Sequence, residues 1–324
     1  RFYENQGIKT EGSLFAKVNQ VVIGPLSGFI DFQLRSINYE VSGEIAGPSS
    51  FSVNDNFLFF NPKAGLTYTI SNRQKLYASY AKAHREPNRT DYENGNPKPE
   101  KLDDFELGWR IKTTKMQAQA NLYWMEYKDQ LVLTGAIDEV GAPIRQNVGK
   151  SRRVGLELEF KMKLLPNWVW QPNLALSNNQ NLDFVFERDG ELVDLGKTQL
   201  AYSPNLISGS SLTYAASTNF QITLLSKFVG KQYMGNIDSE NSILPSYFIN
   251  DLNISYVWRP NELLKEIQFS FLINNLLNKQ YESNGYFYTY NDTWSAPGKI
   301  TTIEGAGFYP QAGINFLTGL MIKF

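Results

Sequence analysis

The segment INFLTGLMIKF, residues 314–324, alternates side chains in steps of two. One face carries Phe316, Leu320, Ile322 and Phe324, and the residues between them include asparagine, glycine and lysine. Successive side chains of a β-strand point to opposite sides, so this pattern predicts a strand with one apolar face. A half-buried strand of a soluble sheet alternates in the same way, but such strands seldom exceed about ten residues. The length of the segment is the first indication of a different kind of sheet.

The same alternation recurs along the whole chain. The clearest example is VGLELEFK, residues 154–161, in which apolar side chains alternate with Glu157, Glu159 and Lys161. We count about thirteen such segments of roughly ten residues, which is the length that a tilted strand needs to cross a bilayer. The first two lie near residues 14–23 and 28–40.

The connections between these segments alternate between two sizes. Short turns are predicted at residues 24–28, 71–74, 113–114, 165–167, 215–218 and 259–265. Long polar stretches are predicted near residues 41–60, 85–101, 134–149, 178–201, 233–245 and 278–307. Short turns on one side and long loops on the other are typical of outer-membrane barrels, whereas a sandwich or propeller has no such requirement. The sequence therefore predicts an all-β fold, a transmembrane antiparallel up-and-down β-barrel, with Phe324 on the short-turn, periplasmic side.

The overall composition excludes several other classes of protein. A formal net charge of -1 over 324 residues gives no basic surface for nucleic acid or another polyanion. No apolar run approaches the roughly 18 residues of a membrane helix. The chain has no cysteine, which excludes a disulfide framework and thiolate metal sites. The opening RFYENQGIKTEG, residues 1–12, lacks the apolar stretch of a signal peptide.

Several tryptophans lie within a few residues of a predicted short turn. Barrels in membranes carry a girdle of aromatic side chains at each interface, and ordinary core aromatics are the alternative interpretation. With Phe324, the residues predicted to form the periplasmic aromatic girdle are Trp109, Trp168, Trp170 and Trp258.

Five stretches of this sequence resemble the C-terminal barrel of TonB-dependent outer-membrane receptors. They are NPKAGLTYTISNRQKLYASYAKAHREPNRTDY (61–92), NPKPEKLDDFELGWR (96–110), ANLYWMEYKDQLV (120–132), INNLLNKQYESNGY (273–286) and the strand ending at Phe324. The resemblance implies the outer membrane of a Gram-negative bacterium and energy-coupled uptake of a scarce nutrient, with a ferric siderophore or similar iron complex favoured. It also implies the TonB complex as a partner, and the barrel-assembly machinery as the reader of Phe324 as an assembly signal.

The N-terminal end of this sequence differs from the pattern of that family. The resemblance implies a 22-stranded barrel preceded by a globular plug that contacts TonB. Neither the plug nor the first strands are in this sequence. Residues 1–324 are therefore interpreted as the C-terminal portion of the barrel, with about thirteen strands of a 22-stranded whole. The opening RFYEN, residues 1–5, is interpreted as the tail of a strand.

The polar faces of the predicted strands carry charges of both signs. Such charges can pair with a folded plug, although a water-filled pore would accept the same residues. The residues predicted to face the lumen or plug are Glu106, Arg110, Glu157, Glu159, Lys161 and Asp251.

Ligand recognition is predicted in the long loops, where cations and aromatic side chains cluster. Arginine forks suit anionic iron chelates or carboxylated ligands, and lipopolysaccharide phosphates at the outer leaflet are the alternative partner. The loop lengths favour a siderophore-sized nutrient over a large glycan, haem is less favoured, and a surface lipoprotein partner stays open. The candidate ligand-binding residues are His84, Arg85, Arg89, Tyr92, Arg145, Arg152 and Arg153.

Catalytic and metal-binding patterns are weak, so no enzyme activity, cofactor or metal site is expected. His84 is the only histidine, and no GxSxG motif accompanies it. The spacing of His84, Asp91 and Glu93 matches no familiar metal site. The acidic stretch FERDGELVD, residues 186–194, departs from the EF-hand spacing and is interpreted as a solvated loop.

Two other functions remain open at this point. A passive porin of about fourteen strands would require this chain to be the entire mature protein, which the intact mass of the native polypeptide would show. An outer-membrane enzyme is the weaker alternative, since no facing nucleophile and base can be named.

Overall fold

The computed structural model describes residues 4–45, 49–93, 95–137, 141–260 and 264–324. Nearly all of the structure is β. The strands are β1 (Glu4–Ile23), β2 (Leu26–Ile45), β3 (Ser49–Ser71), β4 (Gln74–Arg85), β5 (Glu100–Lys112), β6 (Met116–Ile137), β7 (Pro143–Leu165), β8 (Trp168–Arg188), β9 (Glu191–Gln199), β10 (Leu206–Ala215), β11 (Phe220–Val229), β12 (Gln232–Tyr233), β13 (Ile243–Leu244), β14 (Tyr247–Trp258), β15 (Glu266–Asn274), β16 (Glu282–Asp292), β17 (Thr301–Pro310) and β18 (Asn315–Lys323). The helical elements are α1 (Arg89–Glu93) and a 3-10 turn (Glu240–Ser242). Within the described ranges, no helix has the length and apolarity to cross a membrane.

Thirteen strands follow one another in a single antiparallel sheet. Their order is β1-β2-β3-β4-β5-β6-β7-β8-β10-β11-β14-β15-β18, so each strand pairs with the next one that spans the sheet. This confirms the predicted up-and-down topology and the predicted number of strands. In the part of the chain that the structure describes, β1 and β18 do not pair with each other, so the sheet is not closed. The total of 22 strands stays a prediction.

The register shows which side chains share a face, because directly opposed residues of antiparallel strands lie on the same side of the sheet. One row of opposed leucines crosses five neighbouring strands: Leu107, Leu122, Leu156, Leu176 and Leu206. Most large side chains of this apolar face are exposed, as expected of a surface that a bilayer covers. The alternation predicted for these strands is therefore confirmed.

The strand predicted at residues 314–324 is β18. Its Phe316, Leu320 and Ile322 lie opposite apolar residues of β15 and continue the apolar face. Phe324 follows β18 and is largely exposed. Its role in assembly stays a prediction.

Most long connections contain more strand than expected. Strands β2, β3, β6, β7 and β8 run for 20 to 23 residues, well beyond the length needed to span a bilayer. Residues 187–194 are exposed, as predicted for a solvated stretch, but they form the tip of the β8–β9 hairpin and not a loop. Asp189 and Gly190, with φ of 56° and 80°, make a two-residue turn of the kind that suits twisted strands.

The predicted short turns are confirmed with one exception. Residues 261–263, in the turn predicted at 259–265, lie outside the described residues. Residues 1–3 of the opening RFYEN also lie outside them, whereas Glu4 and Asn5 begin the 20-residue strand β1 and are not the tail of a strand.

The buried core lies at the long-connection end of the sheet. A single sheet has no second layer, so its apolar side chains form a buried cluster where the connections fold back over it. Phe287 of β16 and Leu195 of β9 pack against this core. The core residues are Val132, Val148, Phe184, Phe186, Leu200 and Ile237. The long connections therefore form a packed layer.

Candidate functional site

A cleft of about 430 Å³ opens at the long-connection ends of β4, β5, β6 and β7. Four of the seven candidate ligand-binding residues line it, because the hairpin register brings these strand ends together. We call it the cationic cleft, since its four basic side chains outnumber its single carboxylate. The polar residues that line it are His84, Arg85, Glu100, Lys101, Tyr127, Gln130, Arg145 and Arg153.

Arg85 is paired with a carboxylate in the cleft wall. Its Nε lies 2.8 Å from Glu100 Oε2, and its Nη2 donates to Glu100 Oε1 at 2.8 Å. Glu100 is buried and also accepts a hydrogen bond from the backbone N–H of Leu131 at 2.7 Å. A two-pronged pair of this kind is among the strongest protein ion pairs. Arg85 therefore shapes the wall, and its charge is compensated by Glu100.

Arg145 is also paired with a buried carboxylate. Its Nη2 lies 2.9 Å from Asp91 Oδ1, as an ion pair. The other oxygen of Asp91, Oδ2, accepts the backbone N–H of Asn88 at 2.8 Å. These contacts tie α1 to β7.

Arg153 is different, because it has no acidic partner among the described residues. Its guanidinium carbon lies 4.5 Å from the centroid of the Tyr127 ring. The neighbouring Arg152 points to the opposite face of β7, where its Nε lies 2.6 Å from Glu126 Oε1 and its guanidinium stacks over Trp124. Successive strand residues face opposite ways, so only one of these two arginines can reach a ligand in the cleft. Arg153 is therefore the uncompensated arginine of the site.

His84 is held by two contacts at the edge of the cleft. Its ring stacks on Phe59 with centroids 5.1 Å apart and planes 3° from parallel. Its Nδ1 lies 2.9 Å from Asn61 Oδ1. Throughout the described ranges, no three histidine or acidic side chains are grouped so that they could hold a metal ion.

The comparison with known proteins decides the family. The sequence model of the family described as TonB dependent receptor-like, beta-barrel, matches residues 10–276. The chain belongs to this family. The resemblance stated from the sequence is therefore confirmed.

Known proteins are similar to this chain in sequence or in fold. The pesticin receptor of Yersinia enterocolitica is 27% identical over 190 residues, which are 58% of this chain and 26% of that receptor. The siderophore receptor PiuA from Acinetobacter baumannii has a TM-score of 0.72 at 17% identity, covering 98% of this chain and 44% of that one. The ferric yersiniabactin uptake receptor FyuA from Yersinia pestis has a TM-score of 0.66 at 18% identity, covering 100% and 47%. The chain thus spans about a quarter of the curated relative and under half of the two solved chains.

In this family member, Arg89 and Tyr92 lie in α1, away from the lining of the cleft. Arg89 donates to Asn5 Oδ1 at 3.1 Å and lies 3.5 Å from Glu93. Tyr92 is buried and donates its hydroxyl to Asp55 Oδ2 at 2.6 Å. Burial, reinforced by this hydrogen bond, raises the pKa of the Tyr92 phenol far above its usual range. The phenol therefore stays protonated at neutral pH.

Replacing Tyr92 with Phe is expected to loosen the connection that carries α1. The ring that stacks on Tyr39 would remain, but Asp55 would lose a charge-assisted hydrogen bond, which is typically worth about 1.5–3 kcal/mol. Hydrogen exchange of residues 86–93 should accelerate roughly tenfold or more. Tyr39→Phe is the matched control, and equal acceleration in both variants would contradict the assignment.

The residues predicted to face the lumen or plug share the polar side of the sheet. Arg110 lies opposite Gln119, and Gln119 lies opposite Glu159. Asp251 accepts the backbone N–H of Asn275 at 2.7 Å. The register places Glu106, Glu157 and Lys161 on the same side as these residues. Their contact with a lumen or plug stays a prediction.

The four tryptophans of the predicted girdle lie on the apolar side of the sheet. Trp109 is opposite Ala120, Trp170 is opposite Met162, and Trp258 is opposite Ile267. Trp168 packs on Tyr214 with ring centroids 4.7 Å apart. Their role as a periplasmic girdle stays a prediction.

A second, larger cavity lies elsewhere in the packed layer of connections. It measures about 630 Å³ and lies between β6, β7, β8 and β16. Among the residues that the structure describes, its charged lining residues are Asp183 and Glu187, and none of its lining side chains is basic. The smaller cationic cleft therefore fits an anionic ligand better. The acidic lining could not have been predicted from the sequence, because it depends on how β16 folds back.

Proposed function

We propose that this chain forms part of a TonB-dependent outer-membrane receptor of a Gram-negative bacterium that imports a ferric siderophore or a similar anionic iron complex. The observation that carries the proposal is the cationic cleft at the long-connection end of the sheet. The names of the relatives support it, since they include a pesticin receptor, a siderophore receptor and a ferric yersiniabactin uptake receptor.

In this proposal the chain supplies the C-terminal portion of the barrel. An N-terminal plug and the first strands would come from the rest of the receptor, and TonB would act through that plug. The small share of each relative that the chain spans supports this division. The mixed charges on the polar side of the sheet suit contact with a folded plug.

The cleft offers an anionic chelate one free guanidinium on a rigid wall. Arg153 can donate two parallel hydrogen bonds to a carboxylate or catecholate pair. The Arg85–Glu100 and Arg145–Asp91 pairs hold that wall in place. Arg89, Tyr92 and Arg152 are assigned structural contacts, so the ligand-binding set narrows from seven residues to those of the cleft.

The function is tested with the native polypeptide that contains this sequence. A panel of ferric chelates, haem and cobalamin is titrated against it, and growth on each bound nutrient is measured with and without TonB. We expect an anionic ferric chelate to bind and its uptake to require TonB. Growth without TonB would contradict energy coupling, and binding of only neutral or cationic ligands would contradict the role of the cleft.

The passive porin and the outer-membrane enzyme are disfavoured. Family membership argues against both, because the relatives are named as receptors. A porin would also let small neutral sugars equilibrate across liposomes without TonB. Swelling of such liposomes is therefore the measurement that would favour the porin.

A further inference from the structure

A continuous row of aromatic rings runs along the β16–β17 hairpin, and nothing in the proposed transport site uses it. Its members in order are Tyr309, Tyr286, Tyr288, Tyr290 and Trp294. Successive ring centroids are 5.9, 6.2, 6.4 and 5.9 Å apart. We call this row the aromatic ladder.

Two glycines hold the rings across the neighbouring strand. Gly305 lies opposite Tyr288, and Gly307 lies opposite Tyr286. A Cβ atom on either glycine would come within 2.4 Å of the tyrosine ring opposite it, so each ring occupies the space of a missing side chain. Each of these two tyrosine rings therefore lies across β17 in a fixed position, with its outer face uncovered.

The ladder is exposed, and the opposite face of the hairpin does the packing. Tyr286, Tyr290, Trp294 and Tyr309 are 49%, 38%, 69% and 51% exposed. On the other face, Phe287 packs against the buried core of the long connections. The packing of this other face therefore holds the hairpin in place without the ladder. A row of exposed aromatic side chains is typical of a binding surface.

The opposite face also anchors the hairpin through polar contacts. Glu304 lies 3.3 Å from Arg188 Nη2 and accepts hydrogen bonds from Ser239 and Asn241. Asp189 and Thr302 exchange two hydrogen bonds of 2.7 Å. The ladder is thus presented on a rigid support.

The shape and charge of the ladder select the class of ligand. The β17 positions opposite the three tyrosines of β16 are Gly307, Gly305 and Ile303, so no charged residue lies there. The surface is one side chain wide, whereas a stable protein interface needs a patch of roughly 800 Å² per partner. Flat rings with phenol hydroxyls can stack on the C–H faces of sugars and hydrogen-bond their hydroxyl groups.

We propose that the aromatic ladder binds a linear chain of neutral sugar rings, the glycan of the outer-leaflet glycolipid. Tyr309 lies six residues before the start of β18, and the ladder runs from there to Trp294 in the connection between β16 and β17. A glycan anchored in the outer leaflet leaves the membrane in this same direction. This step rests on the proposed function, in which an outer membrane surrounds the barrel.

The test uses the native polypeptide in detergent, with the double variant Tyr290→Ala plus Trp294→Ala. Its matched control is Tyr290→Phe plus Trp294→Phe, which keeps the rings. The probes for isothermal titration are the polysaccharide released by mild acid from the strain's own lipopolysaccharide, the lipid A left behind, and maltohexaose. We expect the polysaccharide to bind, the alanine variant to weaken binding about tenfold or more, and the phenylalanine variant to bind nearly as wild type.

Three outcomes would overturn the proposal. Equal affinity of wild type and the alanine variant would show that the ladder is not the site. Binding of lipid A alone would assign the contact to phosphates or acyl chains. Binding of maltohexaose without the polysaccharide would assign the surface to a soluble glycan. Unchanged heat-modifiable gel mobility shows that each variant is folded.

Discussion

Leu156→Arg is expected to lower the yield of folded barrel far more than Glu157→Arg does. Leu156 lies opposite Leu122 and Leu176 in the leucine row of the apolar face. An arginine on the lipid side near the middle of the bilayer costs about 2–4 kcal/mol. Glu157 points to the polar side, opposite Asn121, where a charge stays in contact with polar groups.

The two variants are neighbours on one strand, so each controls for the other. The measurement is the folded fraction by heat-modifiable gel mobility, followed by urea unfolding in lipid vesicles. Equal losses in both variants would mean that the apolar side of this sheet does not face lipid. The barrel assignment would then have to be abandoned.

Arg153→Ala is expected to weaken binding of the anionic nutrient by roughly ten- to a hundredfold. Losing a hydrogen bond to a charged group costs about 1.5–3 kcal/mol, which corresponds to this range of affinity. Arg152→Ala is the matched control, because Arg152 lies next to Arg153 but faces the other way and pairs with Glu126. Its removal should leave affinity nearly unchanged.

Arg153 is a sharper test than the other arginines of the cleft. Removing Arg85 or Arg145 would leave a buried carboxylate, Glu100 or Asp91, without its partner, and such a loss disturbs structure and binding together. If the wild type and Arg153→Ala bound the anionic nutrient with equal affinity, the cleft would be excluded as the binding site. If detergent sensitivity changed instead, lipopolysaccharide phosphates would be the partner of these cations.

The strand pattern was predictable because it is local. A period of two places Leu156 and Glu157 on opposite faces whatever the rest of the chain does, and the alternation of short and long connections follows directly from the sequence. The same rule places Arg152 and Arg153 on opposite faces of β7, although the sequence alone had proposed both as ligand-binding residues. Because the two arginines are adjacent in a predicted strand, the sequence could have shown that only one of them faces a given side.

The sequence by itself determined the fold class, the family and the division of each strand into an apolar and a polar face. Only the tertiary structure decided which cations are free, because the partners Glu100 and Asp91 reach Arg85 and Arg145 through strand register and the placement of α1. It also decided that the polar connections carry strands and a buried core, since Phe287 meets that core across a long stretch of chain. Such contacts depend on where distant segments meet in space, and no short window of sequence contains that information.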